Sequence, residues 1–558
     1  MYKSLFGAIG LFGLLLLLCT INPSTVAAES AGSVEERVIV VSAAQITATE
    51  PATVSTPMTE GALYIENLTV QNQLILEVLP SYSSSVTVAL EQESFSTEIL
   101  YQRANENIVI LATKETDNIK QQITTIVNQN VAVVESDPGL GSKNIDSGDH
   151  PSALITKQEV FLIGSPHGVG AMPFGFPLLQ GTLPTNPLIN QWALSHLSPA
   201  MIGVDLYREL GVTRATSATG KDVRIVIFDT SPFTFPVQNN GDGKYTGVFS
   251  VPFQIGNFPP LRLKVTNIQP TQPYTHEFPG EELHLSDQDI SSHGLFVAAL
   301  AYAMAPEAEI ELVQVLDSHG IGTLDALLLA LHNLITATQN STMPTVLNLS
   351  LGVLRESSVK ESDLQLLLNE ISVTHAASIT IVAAAGNHLT STETLTMQIP
   401  ANHPAVIGVG ASNAYGQIAC FSKRLKAVGP KAAAPGGDAR VTDGCDPEKI
   451  MNQCVNQMLL GFLQAAYIKI VEQRDPEINH DFCPDLLTSL VREPQTSNYR
   501  YARWMGTSFA TPLVSGWVAL RLQNESRSAI YVDLTPITSE PDSCLILVGT
   551  QPKKIRAC

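Results

Sequence analysis

The chain has 558 residues, of which 44% are hydrophobic and 15% are charged, and its formal net charge is −20. This length, and the high ratio of hydrophobic to charged residues, indicate a globular protein with more than one folding unit rather than a disordered one. The acidic charge and the lack of Lys/Arg clusters argue against nucleic acid or an anionic membrane surface as a partner, because both attract basic patches.

The first 28 residues have the pattern of a secretory signal peptide. Lys3 precedes an apolar run from Leu5 to Cys19, and the small residues from Val26 to Ala28 resemble a cleavage site. An uncleaved anchor helix is the alternative, but the run is shorter than the ~20 residues that a bilayer span needs. We therefore expect residues 1–28 to be removed, no other membrane segment, and a secreted mature chain.

Six cysteines remain after the signal, all in the C-terminal part of the chain: Cys420, Cys445, Cys454, Cys483, Cys544 and Cys558. In an exported protein this number favours up to three disulfide bonds, although 15 pairings are open. No metal site is indicated, because the chain contains neither Cys-x-x-Cys nor His-Glu-x-x-His.

Residues 29–137 are interpreted as a small α+β domain. Alternation of apolar and polar residues predicts strands in ALYIENLTV, QLILEVL and SVTVAL, and the later segments NIVILAT, DNIKQQITTIVNQ and VAVVESD are typical of a strand, a helix and a strand. The next stretch, residues 138–186, is dense in Gly, Pro and Ser and is expected to be a structureless connection.

From residue 187 to residue 525 the pattern changes to alternating strands and helices. The expected strands are VRIVIFD, IELVQVLD, TVLNLSLG, ITIVAAAGN and AVIGVGAS, and the expected helices are SHGLFVAALAYAMAP, TLDALLLALHNLITATQ and SDLQLLLNEISVTHAAS. Strands that are apolar throughout and alternate with helices indicate an α/β fold, a mostly parallel sheet covered on both faces. Functional residues are then expected at the carboxyl ends of the strands.

Four polar residues stand at such positions. Asp229 ends VRIVIFD, His293 opens the helix SHGLFVAAL, and Asn387 ends TIVAAAGN. Ser508 begins the helix SFATPLVSGWVALRL, in which Pro512 lies near the first turn, where a missing N–H is tolerated. Each residue alone is readily explained as a cap, turn or packing residue. Together they are the groups that acyl transfer requires.

In the order Asp, His, Ser, these segments resemble the subtilisin-like serine protease family. The matching stretches are VRIVIFDT, SSHGLFVAAL, VLNLSLG, IVAAAGN and GTSFATPLVSG, spread over about residues 191–522. The resemblance implies the three-layer subtilisin-like fold and a secreted serine endopeptidase that needs no cofactor for its chemistry. It leaves room for a structural calcium ion, but NNGDG and SDQDI fit no defined ligand spacing.

The resemblance also implies a role for each matching residue. Ser508 would be the nucleophile, His293 the general base and Asp229 the residue that orients the imidazole. The Asn387 amide and the Ser508 backbone N–H would form the oxyanion hole. Three residues match the strand that pairs with an extended peptide substrate: Ser350, Leu351 and Gly352.

Departures from the family pattern keep a second hypothesis open. Leu295 and Phe296 stand where the family usually has a Thr and a second His, and a shift of the His293 ring by ~1 Å would cost about two decades in rate. The alternative is therefore a secreted binding or scaffold protein with this fold and little activity.

The resemblance assigns the flanking segments as well. Residues 29–137 resemble the family's N-terminal propeptide, an intramolecular inhibitor that is cut off, here within residues 138–186; a permanently attached accessory domain is the alternative. A cysteine-containing insertion at about residues 438–503, with an amphipathic helix expected in NQMLLGFLQAAYIKIVEQ, is expected to line the cleft. Residues 526–558 are assigned to a C-terminal tail. The expected partners are protein or peptide substrates and the propeptide, and the expected state is a monomer.

Overall fold

The computed structural model describes residues 46–48, 68–102, 108–114, 119, 121–127, 153–162, 174–175, 218–233, 245–251, 253, 258–267, 291–317, 320–339, 341–353, 363–387, 397–413, 417–425, 429–438, 440–441, 444–445, 459–464, 469–470, 499–534, 544–546 and 553–555. The predicted signal peptide and the strand expected in VAVVESD lie outside these residues. Within the described ranges, no helix combines the length and the apolar character that crossing a bilayer requires.

The N-terminal unit is an α+β structure. Its elements are β1 (Ile46–Ala48), β2 (Leu68–Val78), α1 (Pro80–Gln92), β3 (Ser96–Gln102), β4 (Ile108–Thr113) and β5 (Ala153–Leu162). β2 pairs antiparallel with β4 and β5, and β4 pairs antiparallel with β3. One face of this sheet packs on α1 and on helical residues 121–127, which gives the unit a hydrophobic core of its own.

Two predictions for this part of the chain are wrong. SVTVAL is not a strand but part of α1, which begins at Pro80. Val86 and Leu90 are buried while Val88 is 52% exposed, a burial pattern that has the helical period rather than strict alternation. The connection expected to be structureless contains β5, whose sequence ALITKQEVFL has neither Gly nor Pro.

The second unit is an α/β structure. Its elements are β6 (Phe174–Gly175), β7 (Arg224–Asp229), β8 (Tyr245–Ser250), β9 (Arg262–Asn267), α2 (His293–Met304), β10 (Glu309–Gln314), β11 (Ile321–Thr323), α3 (Leu324–Thr338), β12 (Thr345–Leu349), β13 (Gly352–Val353), α4 (Asp363–Thr374), β14 (Ile379–Ala384), β15 (Val406–Ser412), β16 (Lys431–Pro435), β17 (Arg440–Val441), β18 (Gly444–Cys445), β19 (Leu459–Gln464), β20 (Lys469–Ile470), β21 (Tyr499–Trp504), α5 (Thr507–Leu522), α6 (Arg527–Leu534), β22 (Cys544–Ile546) and β23 (Lys553–Ile555).

The central sheet of this unit is mostly parallel, as predicted. In the part of the chain that the structure describes, its strand order is β23-β22-β16-β15-β14-β12-β7-β10-β9-β8. Only the outermost pairs, β22–β23 and β8–β9, are antiparallel. The stretch assigned to a C-terminal tail therefore extends the sheet, because β22 pairs with the edge of β16 that would otherwise be free.

Complete burial explains why the inner elements have continuous apolar sequences. Every residue of β12, β14, β15 and β16 is buried, as is every residue of α2. α2 and α5 pack against each other and against strands of the sheet, and α3 packs on α4. The first residues of α2 and α5 are thereby brought close to the carboxyl end of β7.

The predicted insertion forms strands where a helix was expected. Leu459–Gln464, the middle of the proposed amphipathic helix, is β19, which pairs antiparallel with β21. The helix prediction is wrong because β21, directly before α5, offers a backbone partner that is distant in the sequence. With β6 and β20 these strands form a four-stranded sheet, and β19 lies against α2.

Candidate active site

Asp229 and His293 are joined by a hydrogen bond. Asp229 is the last residue of β7, His293 is the first residue of α2, and both side chains are fully buried. His293 Nδ1 lies 2.8 Å from Asp229 Oδ1. Since an ionised carboxylate only accepts hydrogen bonds, Nδ1 carries the proton and Nε2 is left as the basic nitrogen.

Thr230 connects this pair to the start of the helix. Its backbone N–H donates to Asp229 Oδ1 at 2.7 Å, and its hydroxyl donates to the carbonyl of Ser291 at 2.8 Å. The backbone N–H of Gly294 donates to the same hydroxyl at 3.1 Å, and a Cβ on Gly294 would lie 2.1 Å from the Thr230 carbonyl oxygen. The end of β7 and the first turn of α2 are thus locked together through a residue that the sequence did not single out.

The bulky residues after His293 are packed into the hydrophobic core. Leu295 and Phe296 are fully buried, and the Phe296 ring packs on Trp504 and Phe509. The His293 ring packs on the same two aromatic rings, at centroid distances of 5.3 and 5.0 Å. Within the described structure, His293 Nε2 is buried and has no hydrogen-bond partner.

Ser508 is the second residue of α5, after an N-cap at Gly506 whose φ of +152° favours glycine. Its backbone N–H is among the first four of the helix, which have no intrahelical acceptor. Its Oγ donates to the carbonyl of Ser350 at 3.1 Å, and the residue is 4% exposed. The hydroxyl of the nucleophile candidate is therefore directed at Ser350, while the next residue of the helix, Phe509, packs on the His293 ring.

Pro512 lies inside α5 and not in its first turn, where the sequence pattern had placed it, so its missing N–H has to be compensated. In a regular helix the N–H of residue 512 would donate to the carbonyl of Ser508, but proline has no N–H. The hydroxyl of Ser350 donates to that carbonyl instead, at 2.8 Å. Asn348 in turn donates to the Ser350 hydroxyl at 3.0 Å and accepts a hydrogen bond from Ser515 at 2.9 Å. This buried network ties the Ser508 helix to the end of β12.

Asn387 lies just beyond β14 and is held by Thr507. Its Oδ1 accepts hydrogen bonds from the Thr507 N–H and hydroxyl, both at 3.0 Å. Its Nδ2 is thereby directed toward the start of α5, where it lies 3.4 Å from the position of a Cβ on Gly506. The Asn387 amide therefore lies close to the N-terminus of the Ser508 helix.

The predicted substrate strand, Ser350 to Gly352, begins beside Ser508, and its last residue is paired with another strand. Gly352 begins β13, which pairs antiparallel with β5 from the N-terminal unit, with Gly352 opposite Leu162. β11 pairs with the other edge of β5, with Ile321 also opposite Leu162. β5 is therefore the middle strand of three at this edge of the cleft.

The structure brings every predicted site residue into one region, and it adds Thr230, Thr507 and Asn348. All three lie inside the matching segments, but their roles could not be assigned from the sequence, because each also contacts a residue that is distant along the chain. Across the residues that the structure describes, no group of three or more His, Cys, Asp or Glu side chains is placed to hold a metal ion.

The fold is that of an α/β protein with a mostly parallel sheet, and the candidate site combines a buried Asp–His pair with a helix that begins at Thr507 and carries Ser508. The sequence model of the subtilase family (peptidase S8) matches residues 215–538, and the chain belongs to this family. It is 32% identical to subtilisin E of Bacillus subtilis (strain 168) over 166 residues, 27% of this chain and 40% of that protein. It is 31% identical to the subtilisin of Bacillus pumilus over 166 residues, 27% of this chain and 56% of that protein.

A third relative is the thermophilic serine proteinase of Bacillus sp. (strain AK1), 35% identical over 144 residues, 24% of this chain and 32% of that protein. The matches to these curated relatives thus span about a third to just over half of their length.

Proposed function

We propose that this protein is a serine endopeptidase that cleaves extended polypeptides through an acyl-enzyme intermediate on Ser508. The observation that carries this proposal is the buried Asp229–His293 hydrogen bond of 2.8 Å beside the N-terminus of the Ser508 helix. These groups supply a nucleophile, a base and an orienting carboxylate in one place.

The chemistry follows from the placement of each group. Ser508 Oγ attacks the substrate carbonyl carbon and passes its proton to His293 Nε2. The carbonyl oxygen becomes an oxyanion that accepts hydrogen bonds from Asn387 Nδ2 and the Ser508 backbone N–H. The tetrahedral intermediate then expels the amine, which takes the proton from His293. A water molecule repeats the cycle on the acyl group, releases the acid and restores Ser508.

Ser508 must first leave the carbonyl of Ser350. This requires a rotation between staggered side-chain rotamers, and the backbone stays fixed by the hydrogen bond from the Ser350 hydroxyl. In structures without substrate, catalytic hydrogen bonds are often made only when the substrate complex forms. Asp229 meanwhile stabilises the imidazolium that forms on His293 during attack.

The N-terminal unit is proposed to act as an intramolecular inhibitor. β5 lies between β11 and β13, next to Ser508, and this is where an extended substrate would add its own strand. The opposite face of the N-terminal sheet contributes Ile75, Val109 and Leu111 to the hydrophobic core of the α/β unit. The low exposure of Ser508 agrees with a covered cleft.

Export to an oxidising compartment is proposed from the signal-like N-terminus and the cysteine content. Cys420 is disulfide-bonded, which is typical of secreted rather than cytosolic proteins. The complete pairing of the six cysteines, a bound calcium ion and the monomeric state remain predictions from the sequence.

An inactive scaffold is the second candidate, and one observation favours it. Ser508 Oγ is bonded to Ser350 rather than to His293, so the nucleophile and the base are not hydrogen-bonded to each other. A protein that never closes this contact would keep the fold and bind peptides without cutting them.

A fluorophosphonate probe distinguishes the two candidates. The secreted chain, its Ser508→Ala variant and a Ser528→Ala control, which changes an exposed serine on α6, are incubated with the probe and run on a gel. We expect the wild type and the control to be labelled and to lose the N-terminal unit, and the Ser508→Ala variant to stay unlabelled and intact. A folded wild type that neither labels nor shortens would establish the scaffold.

A further inference from the structure

Asp438 carries a buried carboxyl group that the chemistry proposed above does not use. It follows β16 and is only 1% exposed. Its Oδ1 accepts the backbone N–H of Cys420 at 2.8 Å, and its Oδ2 accepts Asn413 Nδ2 at 2.8 Å. Burying a carboxyl group is costly unless its oxygens are well bonded. The segments that it joins lead to the two oxyanion donors.

The orientation of the Asn413 side chain is fixed by Gln417. The backbone N–H of Gln417 donates to Asn413 Oδ1 at 3.0 Å, and Asn413 Nδ2 donates to Gln417 Oε1 at 3.3 Å. Asn413 therefore presents its amino group, and not its oxygen, to Asp438. Because Cys420 also presents an N–H, both of these partners of Asp438 are donors.

The first route from Asp438 leads to the amide donor of the oxyanion hole. The segment that begins at Cys420 runs along the backbone of Asn387. Ser422 forms an antiparallel bridge with Asn387, and the backbone N–H of Lys423 donates to the carbonyl of Gly386 at 3.0 Å. The residue that supplies the amide is thus paired with a segment whose first residue is held by the carboxyl group.

The second route leads to the helix that carries the backbone donor. Two residues before Asp438, Gly436 accepts the N–H of Gly506 at 2.8 Å, and its own N–H donates to the carbonyl of Ser412 at 3.0 Å. A Cβ on Gly436 would lie 2.8 Å from the Gly506 carbonyl oxygen, so the two backbones are in close contact. Gly506 is the N-cap of α5, two residues before Ser508.

We propose that Asp438 is a positioning residue for the oxyanion hole, which fixes the backbones from which Asn387 Nδ2 and the Ser508 N–H project. The inference rests on the peptidase function proposed above. The contact with Thr507 orients the Asn387 amide. That orientation is useful only while the two backbones keep their separation, and Asp438 is linked to both of them.

A disulfide bond at Cys420 attaches the same segment covalently. It acts through the side chain of Cys420, whereas Asp438 holds the backbone N–H, and the backbone is what continues to the bridge between Ser422 and Asn387. The disulfide limits how far this segment can move. Loss of the carboxyl group should therefore displace the Asn387 amide without unfolding the segment that pairs with it, and a shift of ~1 Å at an active site can cost two decades in rate.

The test is Asp438→Asn, which keeps the volume of the side chain but replaces one acceptor oxygen with an NH2 group. Since both partners described above are donors, one hydrogen bond becomes a contact between two donors. We expect kcat to fall about tenfold, less than the loss of about 10²–10³ for a whole oxyanion donor, and KM to stay within about twofold. The enzyme concentration is taken from complete labelling with the fluorophosphonate probe.

Thr338→Val is the matched control, because it also removes a buried hydrogen-bonding group. The Thr338 hydroxyl bonds the carbonyls of Leu334 and Ile335, both at 2.9 Å, at the end of α3 that leads into the amino end of β12. This is the opposite end of the strand from Ser350. Both variants should lower the melting temperature, but Thr338→Val should leave kcat within about twofold of the wild type.

Two further measurements separate positioning from lost stability. In an Asn387→Ala background one donor is already missing, so adding Asp438→Asn should lower kcat by no more than about threefold. Peptide aldehydes report on the same geometry, because their adduct with Ser508 places a negatively charged oxygen in the hole. Their Ki should rise about tenfold in Asp438→Asn, while the Ki of the matching peptide alcohol stays unchanged.

Three outcomes would overturn the proposal: an Asp438→Asn enzyme with the kcat of the wild type, a loss confined to KM, or a loss of about tenfold that persists in the Asn387→Ala background. If Asp438→Asn does not fold, Asn413→Ala takes its place, because it removes one bond to the carboxyl group and leaves the bond to Cys420. The same outcomes then apply to an expected loss in kcat of about threefold. Failure of the peptidase function would look different, since the wild type and Thr338→Val would then be neither labelled nor active.

Discussion

The aspartate–histidine half of the candidate site and its serine half differ in how completely they are assembled. Asp229 and His293 are bonded at 2.8 Å and braced by Thr230, whereas Ser508 Oγ donates to the Ser350 carbonyl and His293 Nε2 has no hydrogen-bond partner in the described structure. The groups that must not move are thus locked by backbone contacts. The group that must move, the Ser508 side chain, is left with one free torsion.

Ser508 and a bound substrate compete for the same acceptor, the Ser350 carbonyl. An extended substrate that pairs with Ser350 to Gly352 would use this carbonyl as an acceptor for its own backbone N–H. Ser508 Oγ now occupies it. We infer that substrate binding and the release of Ser508 toward His293 favour each other, so that the serine half is completed by the substrate and the aspartate–histidine half is not.

The largest expected effect tests whether the two halves act as one unit. Ser508→Ala and His293→Ala should each lower kcat by about 10⁶, a magnitude known for subtilisin itself. Because the nucleophile needs the base, the double variant should be no slower than either single variant. Steady-state kinetics on a protein substrate give all three values, and multiplicative losses would show that the halves work separately.

The next effect isolates the oxyanion donor of the serine half. Asn387→Ala removes the amide that Thr507 holds in place, and kcat should fall by about 10²–10³ while KM changes little, again the magnitude known for subtilisin. Probe labelling of Ser508 should slow in parallel. A large rise in KM at unchanged kcat would instead assign Asn387 to substrate binding.

A smaller effect tests the bracing of the aspartate–histidine half. Thr230→Val keeps the shape but loses the hydroxyl that bonds the Ser291 carbonyl and the Gly294 N–H, so the buried Gly294 N–H loses this acceptor at a cost of about 1–3 kcal/mol. We expect kcat/KM to fall about tenfold and the melting temperature to drop. Thr230→Ser keeps the hydroxyl and should retain both; equal losses for Ser and Val would point to packing instead.

The central sheet and the positions of the four candidate site residues in it were predictable because each signal is local. Continuous apolar strands indicated burial on both faces, and Asp229, His293, Asn387 and Ser508 each stand at a strand end or helix start. Two secondary-structure predictions, for SVTVAL and for NQMLLGFLQAAYIKIVEQ, were wrong for the same reason. A short amphipathic segment can fit both the helical and the strand period. Which structure forms depends on packing or pairing partners elsewhere in the chain, the N-terminal sheet for α1 and β21 for β19.

The supporting residues could not be found in the same way. Thr230 and Thr507 have ordinary neighbours in the sequence, and what they do depends on the distant residues that they contact. Pro512 was visible as an oddity, but its explanation lies in the hydroxyl of Ser350, which is 158 positions away from the Ser508 carbonyl that it bonds. Residues of this kind can be identified only from the folded structure.

The smallest expected effect concerns the N-terminal unit that covers the serine half. Tyr101 on β3 stacks on His332 of α3 at 4.5 Å, and Glu98 lies on the same strand. Burial, and secondarily the nearby charge of Asp325 on α3, raises the pKa of Glu98 to about 7. Glu98 therefore binds its proton more tightly in the docked, folded state than in the unfolded chain, where the pKa is near 4.5.

The sign of the pH dependence follows from this difference. Stability should be highest below pH 4.5, fall as the pH rises toward about 7, and then stay level. Because Glu98 is partly exposed, solvent screening reduces the effect to on the order of 1 kcal/mol. In the uncut Ser508→Ala chain, adding Glu98→Gln should leave the melting temperature unchanged at pH 4.5 and raise it by about 2–4 °C at pH 8. An equal shift at both pH values would mean that the carboxyl charge of Glu98 does not oppose docking.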